Sequence, residues 1–174
     1  LAAARRGAMA VAPLLEAGCI GDWALANNMK FPKPEHETGK KIAIIGSGLA
    51  GLGAAYHLRR MGHACVIFES APALGGMMRY GIPGYRTPRE MLDGEIQRIL
   101  DMGVEVHLNT RIGVDIPLDQ LKREFDAVFV GIGAQSGKPL GIPGDEAPNC
   151  LSGIDFLRAF NDGRLRYVGK RVIV

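Results

Sequence analysis

Cysteine is scarce. The 174 residues hold three, Cys19, Cys65 and Cys150, and they stand far apart. There is no C-x-x-C pair and no Cys/His cluster at metal-ligand spacing, which argues against zinc, an iron–sulfur cluster or a redox dithiol within these residues. His36, His57, His63 and His107 share no i, i+4 relation, so each reads as structural or solvated. So few cysteines make no disulfide framework, and a reducing cytoplasmic setting is the expectation. Trp23 is the single tryptophan and reads as a packing residue rather than a stacking platform. No apolar run approaches the roughly 18 residues of a membrane span, so none is expected. Charge of one sign is not concentrated either. The net +3 comes from scattered pairs such as Arg5–Arg6, Lys40–Lys41, Arg59–Arg60 and Lys170–Arg171, which read as solvated surface and not as a nucleic-acid track. No Ser/His/Asp, Cys/His or paired-carboxylate set suggests hydrolysis.

Glycine, by contrast, is abundant at 24 residues. The stretch Lys41–Glu69 organises the chain. Ile42–Ile45 is a continuous apolar run, as a parallel strand buried on both faces requires. Gly46, Gly48 and Gly51 then form G-x-G-x-x-G. The first permits a tight turn, the second lets backbone approach a pyrophosphate, and the third allows close helix–strand packing. The following helix offers free N–H groups and the positive end of its dipole to phosphates. Val66–Phe68 is the second strand, with Cys65 beside it as a buried small hydrophobe, and Glu69 ends the unit where an acid can hold a ribose hydroxyl pair. The fold class is therefore α/β, a Rossmann-like domain with a parallel central sheet.

Around that unit the reading is as follows. Residues 1–38 form a short helical approach segment and linker. Pro13 to about Asn28 is helical, with Leu14, Leu15, Ile20, Trp23 and Leu25 packing. The nucleotide-binding domain spans residues 39–168. A long glycine-rich loop, Ser70–Arg86, carries Gly75-Gly76, whose backbone can follow a bound dinucleotide; a loop of this length in a compact domain is usually functional. Thr87-Pro88-Arg89-Glu90 reads as a capping box opening a helix that Gly103 ends. Val104–Leu108 is a strand, Leu118–Glu124 a short helix, and Asp126–Val130 a further buried strand. Gly131–Ala134 follows at the carboxyl end, where ligands of open parallel sheets sit. Ser152 caps a last helix with Ile154, Phe156, Leu157 and Phe160, and Gly163 breaks it. Residues 169–174, GKRVIV, echo the start of the first strand and read as the truncated start of a second nucleotide-binding domain.

Glu69 disfavours NADP at the first site, because its carboxylate would face a 2′-phosphate. FAD or NAD remains. The Gly75-Gly76 loop and the Gly131–Ala134 turn favour FAD, whose ribityl chain and flavin need backbone beyond the pyrophosphate. Two other readings stay open: the NAD-binding domain of a simple dehydrogenase, and a non-catalytic electron-relay or assembly subunit with an empty site.

GSGLAGLGAA, Glu69, GGMMRYGIPGYRTPREML and VEVHLNT together resemble the small (beta) subunit of the glutamate synthase family of NAD(P)H- and FAD-dependent oxidoreductases, which includes the flavin end of dihydropyrimidine dehydrogenase. The resemblance covers about residues 7–174. It implies two Rossmann-like domains, one for FAD and one for NAD(P)H. Electrons would pass from nicotinamide to flavin and through iron–sulfur clusters to a larger oxidoreductase subunit or iron–sulfur protein. By position, it implies FAD contacts at Gly46, Ser47, Gly48, Leu49, Ala50 and Gly51 for the pyrophosphate, and at Glu69 and Ser70 for the ribose. Gly76, Met77 and Arg86 would lie on the flavin side, Ile112 at the adenine end and Gly133 mid-cofactor. No catalytic side chain is implied. The chain departs from the family pattern at Leu49 (usually Pro), at Gly131-Ile132-Gly133 (usually Ala-Thr-Gly) and at Ala4, where a cluster cysteine is common. The clusters are then absent, or their cysteines lie upstream of Leu1.

Overall fold

The computed structural model describes residues 21–165 and 167–174. Leu14, Leu15, Cys19 and Ile20, read above as packing or cysteine positions, lie outside them, as do Ala4 and Arg5–Arg6.

Four strands form one parallel sheet: β1 (Lys41–Ile45), β2 (Ala64–Phe68), β3 (Val104–His107) and β4 (Ala127–Val130), in the order β3-β2-β1-β4. Register is continuous, with Ile44 opposite Ile67 on one side and Phe129 on the other. Among the described residues, helical residues 21–26 precede β1 and five helices follow it: α1 (Leu49–Arg60), α2 (Gly76–Tyr80), α3 (Arg89–Leu100), α4 (Leu118–Glu124) and α5 (Gly153–Asn161). Strand alternation splits the core. Ile42, Ile44, Cys65 and Ile67 face α1 and α3 through Leu52, Leu92 and Ile96. Ala43, Val66 and Phe68 face Leu121 of α4. Both faces of β1 and β2 are thus covered, which is why these strands read as unbroken apolar runs.

Several expectations change. The Ser70–Arg86 loop is not all loop, since it contains α2. The Thr87 capping box does not form: Pro88 is extended, no side chain caps α3, and the first helical bond runs from the Leu92 N–H to the Pro88 carbonyl. The cap at Ser152 does form, its Oγ accepting from the Asp155 N–H at 3.2 Å. Residues 21–26 are helical, but Trp23 is 61% exposed; Ala24 is the buried residue there, and Leu25 packs against Gly94 of α3. β4 is not buried. It pairs only with β1, and Phe129 and Val130 are exposed because no described element covers its outer side. Residues 169–174 form no strand, and Val172, Ile173 and Val174 are exposed.

Arg59 is also not a solvated surface residue. It is buried, and it clasps three segments. Its Nη1 and Nη2 donate to both Glu37 oxygens at 2.9 and 2.6 Å, Nη1 also to the His63 carbonyl at 2.8 Å, and Nε to the Met102 carbonyl at 3.0 Å. Glu37 faces solvent, so the ion pair itself adds little. The buried Met102 carbonyl carries the larger share. Arg59→Met should lower the urea midpoint by an amount equivalent to about 1–3 kcal/mol, the cost of leaving such a group unpaired. The bond from Arg59 holds the Glu37 carboxyl below the usual range. Its contribution is therefore complete above the ordinary glutamate value, about 4.3, and is lost as pH falls through the depressed one. Arg59→Met should remove this part of the acid limb, as read by acid unfolding of both proteins.

Candidate functional site

The strand order reverses direction between β1 and β4, and the carboxyl ends of these two strands frame a cleft, the place where open α/β sheets bind ligands. The cleft encloses about 580 Å³, within the range of small-molecule and cofactor sites. Its floor is the turn from β1 into α1. Gly46 has φ +95°, and a Cβ there would lie 2.5 Å from the Gly131 carbonyl oxygen at the end of β4. A Cβ on Gly51 would lie 1.9 Å from the Gly46 carbonyl oxygen. Strand, turn and helix can close only because both side chains are absent.

Gly48 is different. Its φ is −69°, open to any residue, and a Cβ there would meet nothing nearer than the Gly76 Cα at 4.0 Å. Neither backbone conformation nor packing within the chain requires glycine at this position. The space its missing side chain leaves belongs to the cleft. Gly48 is the N-cap of α1, no side chain caps the helix, and its first turn holds no acid. The free N–H groups and dipole of a 12-residue helix thus point at whatever occupies the cleft, and they favour an anion.

Glu69 is buried and already bonded. Oε2 accepts from the Ser47 N–H at 2.9 Å and from the Ser47 hydroxyl at 2.6 Å. Oε1 accepts from the Ala71 N–H at 2.8 Å and from the Ser70 hydroxyl at 3.3 Å. The acid read above as a free ribose ligand therefore also fastens the end of β2 to the glycine turn. Its longest bond is to exposed Ser70, and that is the position a sugar hydroxyl can take over. Ser47 is fully buried, and its hydroxyl accepts from the Gly75 N–H at 3.2 Å. Beyond it, a Cβ on Gly76 would fall 2.6 Å from the Gly48 Cα, so the double glycine lies directly on the turn.

The cleft gathers Gly46, Ser47, Gly48, Leu49 and Ala50 along its floor. Glu69, Ser70 and Ile112 line one flank, and Gly76, Met77 and Gly133 complete the set of sequence candidates in the wall. Gly51 sits behind the turn, buried, and Arg86 is exposed and outside the cleft. Sequence reasoning missed Tyr80, Thr110, Arg111, Gln135 and Arg158, which also line it. Thr110 closes the VEVHLNT stretch just after β3, which is its signal in the sequence, and its N–H donates to the Glu69 carbonyl. Arg158 was masked by the apolar spacing of its own helix. Among the described residues no group of three His, Cys, Asp or Glu could hold a metal ion. Cys65 is buried, which pushes its thiol up to about 11 and leaves it unreactive. No described helix is long and apolar enough to cross a membrane.

The profile of the family described as "Pyridine nucleotide-disulphide oxidoreductase" matches residues 40–174. The chain belongs to that family. It is 45% identical over 159 residues to NADPH-Fe(3+) oxidoreductase subunit beta of Geobacter sulfurreducens, covering 88% of this chain and 24% of that protein. It is 40% identical over 124 residues to the glutamate synthase [NADPH] small chain of Bacillus subtilis, covering 71% of this chain and 25% of that protein. The chain thus spans about a quarter of the length of these relatives, both named as parts of larger assemblies. Among solved structures, Mycobacterium tuberculosis FprA in complex with NADPH aligns with a TM-score of 0.66 at 25% identity, over 70% of this chain and 29% of that one.

Proposed function

We propose that this chain is the FAD-binding half of an NAD(P)H-dependent oxidoreductase subunit of the glutamate synthase small-subunit type. Residues 39–168 are the FAD domain, and residues 169–174 open a second domain for NAD(P)H. The observation that carries the reading is Gly48: a glycine that neither φ nor internal packing demands, at the uncapped N-terminus of α1. The α1 N–H groups beside Gly48 would hold a pyrophosphate, with no Cβ in its way. Glu69 beside Ser70 suits the adenosine ribose and, by its charge, not a 2′-phosphate. The open wall through Met77, Gly133 and Gln135 suits a cofactor longer than NAD. When bound, FAD supplies two-electron acceptance from a nicotinamide and one-electron donation onward. The protein's part is to seat it and set its charge environment. The partner that takes the electrons is an iron–sulfur protein or a larger oxidoreductase subunit, and the free thiols Cys65 and Cys150 suit a reducing cytoplasm.

The purified protein should show a flavin absorption spectrum, or acquire one on incubation with FAD. At FAD concentrations 100 times the dissociation constant, thermal unfolding should be delayed by the equivalent of about 2.7 kcal/mol, with a much smaller response to NAD. A colourless protein stabilised by NAD alone would mean a simple dehydrogenase domain. Stabilisation by neither would mean an empty relay or assembly subunit.

A further inference from the structure

We propose that Arg158 is a cofactor-contacting residue that stabilises the reduced, electron-rich form of the bound flavin and so raises its reduction potential. This rests on the FAD reading above.

Two cations line the cleft, Arg111 and Arg158, against one carboxylate, Glu69. Arg111 follows Thr110, whose backbone is bonded to Glu69, so it belongs to the ribose flank. Arg158 belongs to the flank built by α2 and α5. That flank is fixed by an amide clasp. The Asn161 Nδ2 donates to the Tyr80 carbonyl at 2.9 Å, and the Asn161 Oδ1 accepts from Arg89 Nη2 at 2.9 Å. Arg89 also donates to the carbonyls of Met78 and Ile82, so α5 is tied to the C-terminal half of the glycine-loop helix and the residues just after it. Arg158 lies one turn before Asn161, on the same helix face.

The guanidinium is held there without being neutralised. Its carbon stands 5.5 Å from the Tyr80 ring centroid, and its Nη2 donates to Gln135 Oε1 at 3.4 Å. Gln135 is itself pinned through Nε2 to the Ile132 carbonyl, which turns its oxygen toward Arg158. No carboxylate pairs with Arg158 among the described residues, whereas Arg59, Arg79, Arg98 and Arg164 each have one. A half-buried arginine positioned by a ring and a neutral amide keeps its full field and most of its donors for a ligand. An anion at a fixed distance from it is stabilised more than a neutral group in the same place. Reduction adds electrons to the flavin. A fixed cation at the far flank from the ribose therefore binds the reduced cofactor more tightly than the oxidised one, which is one of the ways a protein tunes a cofactor's electronics.

The test uses the purified protein, its Arg158→Gln and Arg158→Ala variants, and Arg158→Lys, each checked for native melting by circular dichroism. FAD affinity is measured for the oxidised form, and the midpoint potential of the bound flavin is measured by spectroelectrochemical titration. The proposal expects Arg158→Gln and Arg158→Ala to lose at least tenfold more affinity for reduced than for oxidised FAD, which is a fall of about 30 mV for a two-electron couple. Arg158→Lys should restore most of it. An unchanged potential overturns the proposal, whether oxidised FAD binds normally or is weakened equally in both forms; the latter would make Arg158 a phosphate or structural contact. Should the unsubstituted protein bind no FAD at all, the cofactor reading fails first, and the two failures are told apart by that control.

Discussion

Gly51→Val should leave a protein that binds FAD at least 100-fold more weakly, a loss on the order of 3 kcal/mol. A Cβ at this position would stand 1.9 Å from the Gly46 carbonyl oxygen. The obstacle is backbone, so no rotamer change relieves it. Either α1 moves away from β1 or the turn opens, and both displace the N–H groups that meet the pyrophosphate. Overpacking of this kind costs about 1–3 kcal/mol of stability in cores, so the variant should also melt lower. Gly53 gives the contrasting control. It lies two residues further along α1, and a Cβ there would meet nothing within 4 Å. Gly53→Ala should stabilise the protein by about 0.5–1 kcal/mol, the usual gain for replacing glycine inside a helix, with FAD affinity unchanged. Opposite signs from neighbouring glycines, read by isothermal titration and urea melts, would tie the effect to the turn and not to helix propensity.

Glu69→Ala should be the most destabilising change at the ribose flank. The carboxylate is the acceptor for two donors on fully buried Ser47, and hydrogen bonds to a charged group are worth about 1.5–3 kcal/mol each. Removing it should cost about 3 kcal/mol or more and detach the Gly75-Gly76 loop as well, because Ser47 orients that loop. Glu69→Gln keeps one oxygen and the side-chain volume, so it should lose roughly half as much. Glu69→Ala combined with Ser47→Ala should cost less than the two single changes added together, since the pair is in direct contact. Additive costs in a denaturant series would show that the bond contributes nothing to the fold.

The parts of the fold legible in the sequence are those that local pattern controls. Ile42–Ile45 and Val66–Phe68 read as buried strands because both faces are covered. Leu118–Glu124 came out with the observed bounds because its neighbours, Pro117 and Phe125, are both extended. The turn is legible because Gly46 and Gly51 each have a steric cause within the chain and Gly48 leaves its space to the cleft. What escaped depends on distant chain. Asp126–Val130 has the composition of a buried strand, but burial needs an element beyond β4, and composition does not report whether one is there. Arg59 looks like half of a surface pair until Glu37, His63 and Met102 arrive around it. Arg158 enters the cleft only because Asn161 and Arg89 fix the facing of α5, a relation across 72 residues that no window captures. Arg86, which the resemblance implies on the flavin side, stands exposed and outside the cleft, so its place is not read from the lining.

The Ser47–Glu69–Gly75 knot bears on the order in which the site is assembled. Its members lie within 28 residues of one another, so the loops that must close to form it are short and their entropic cost is small. The Gly131 wall joins from much further along the chain. Contacts of low sequence separation form early in folding. The phosphate-and-ribose half of the cleft can therefore exist on a nascent chain before β4 has been made, and the flank that carries Arg158 is added last. A cofactor that engages the first half early would act as a template on which the second half closes.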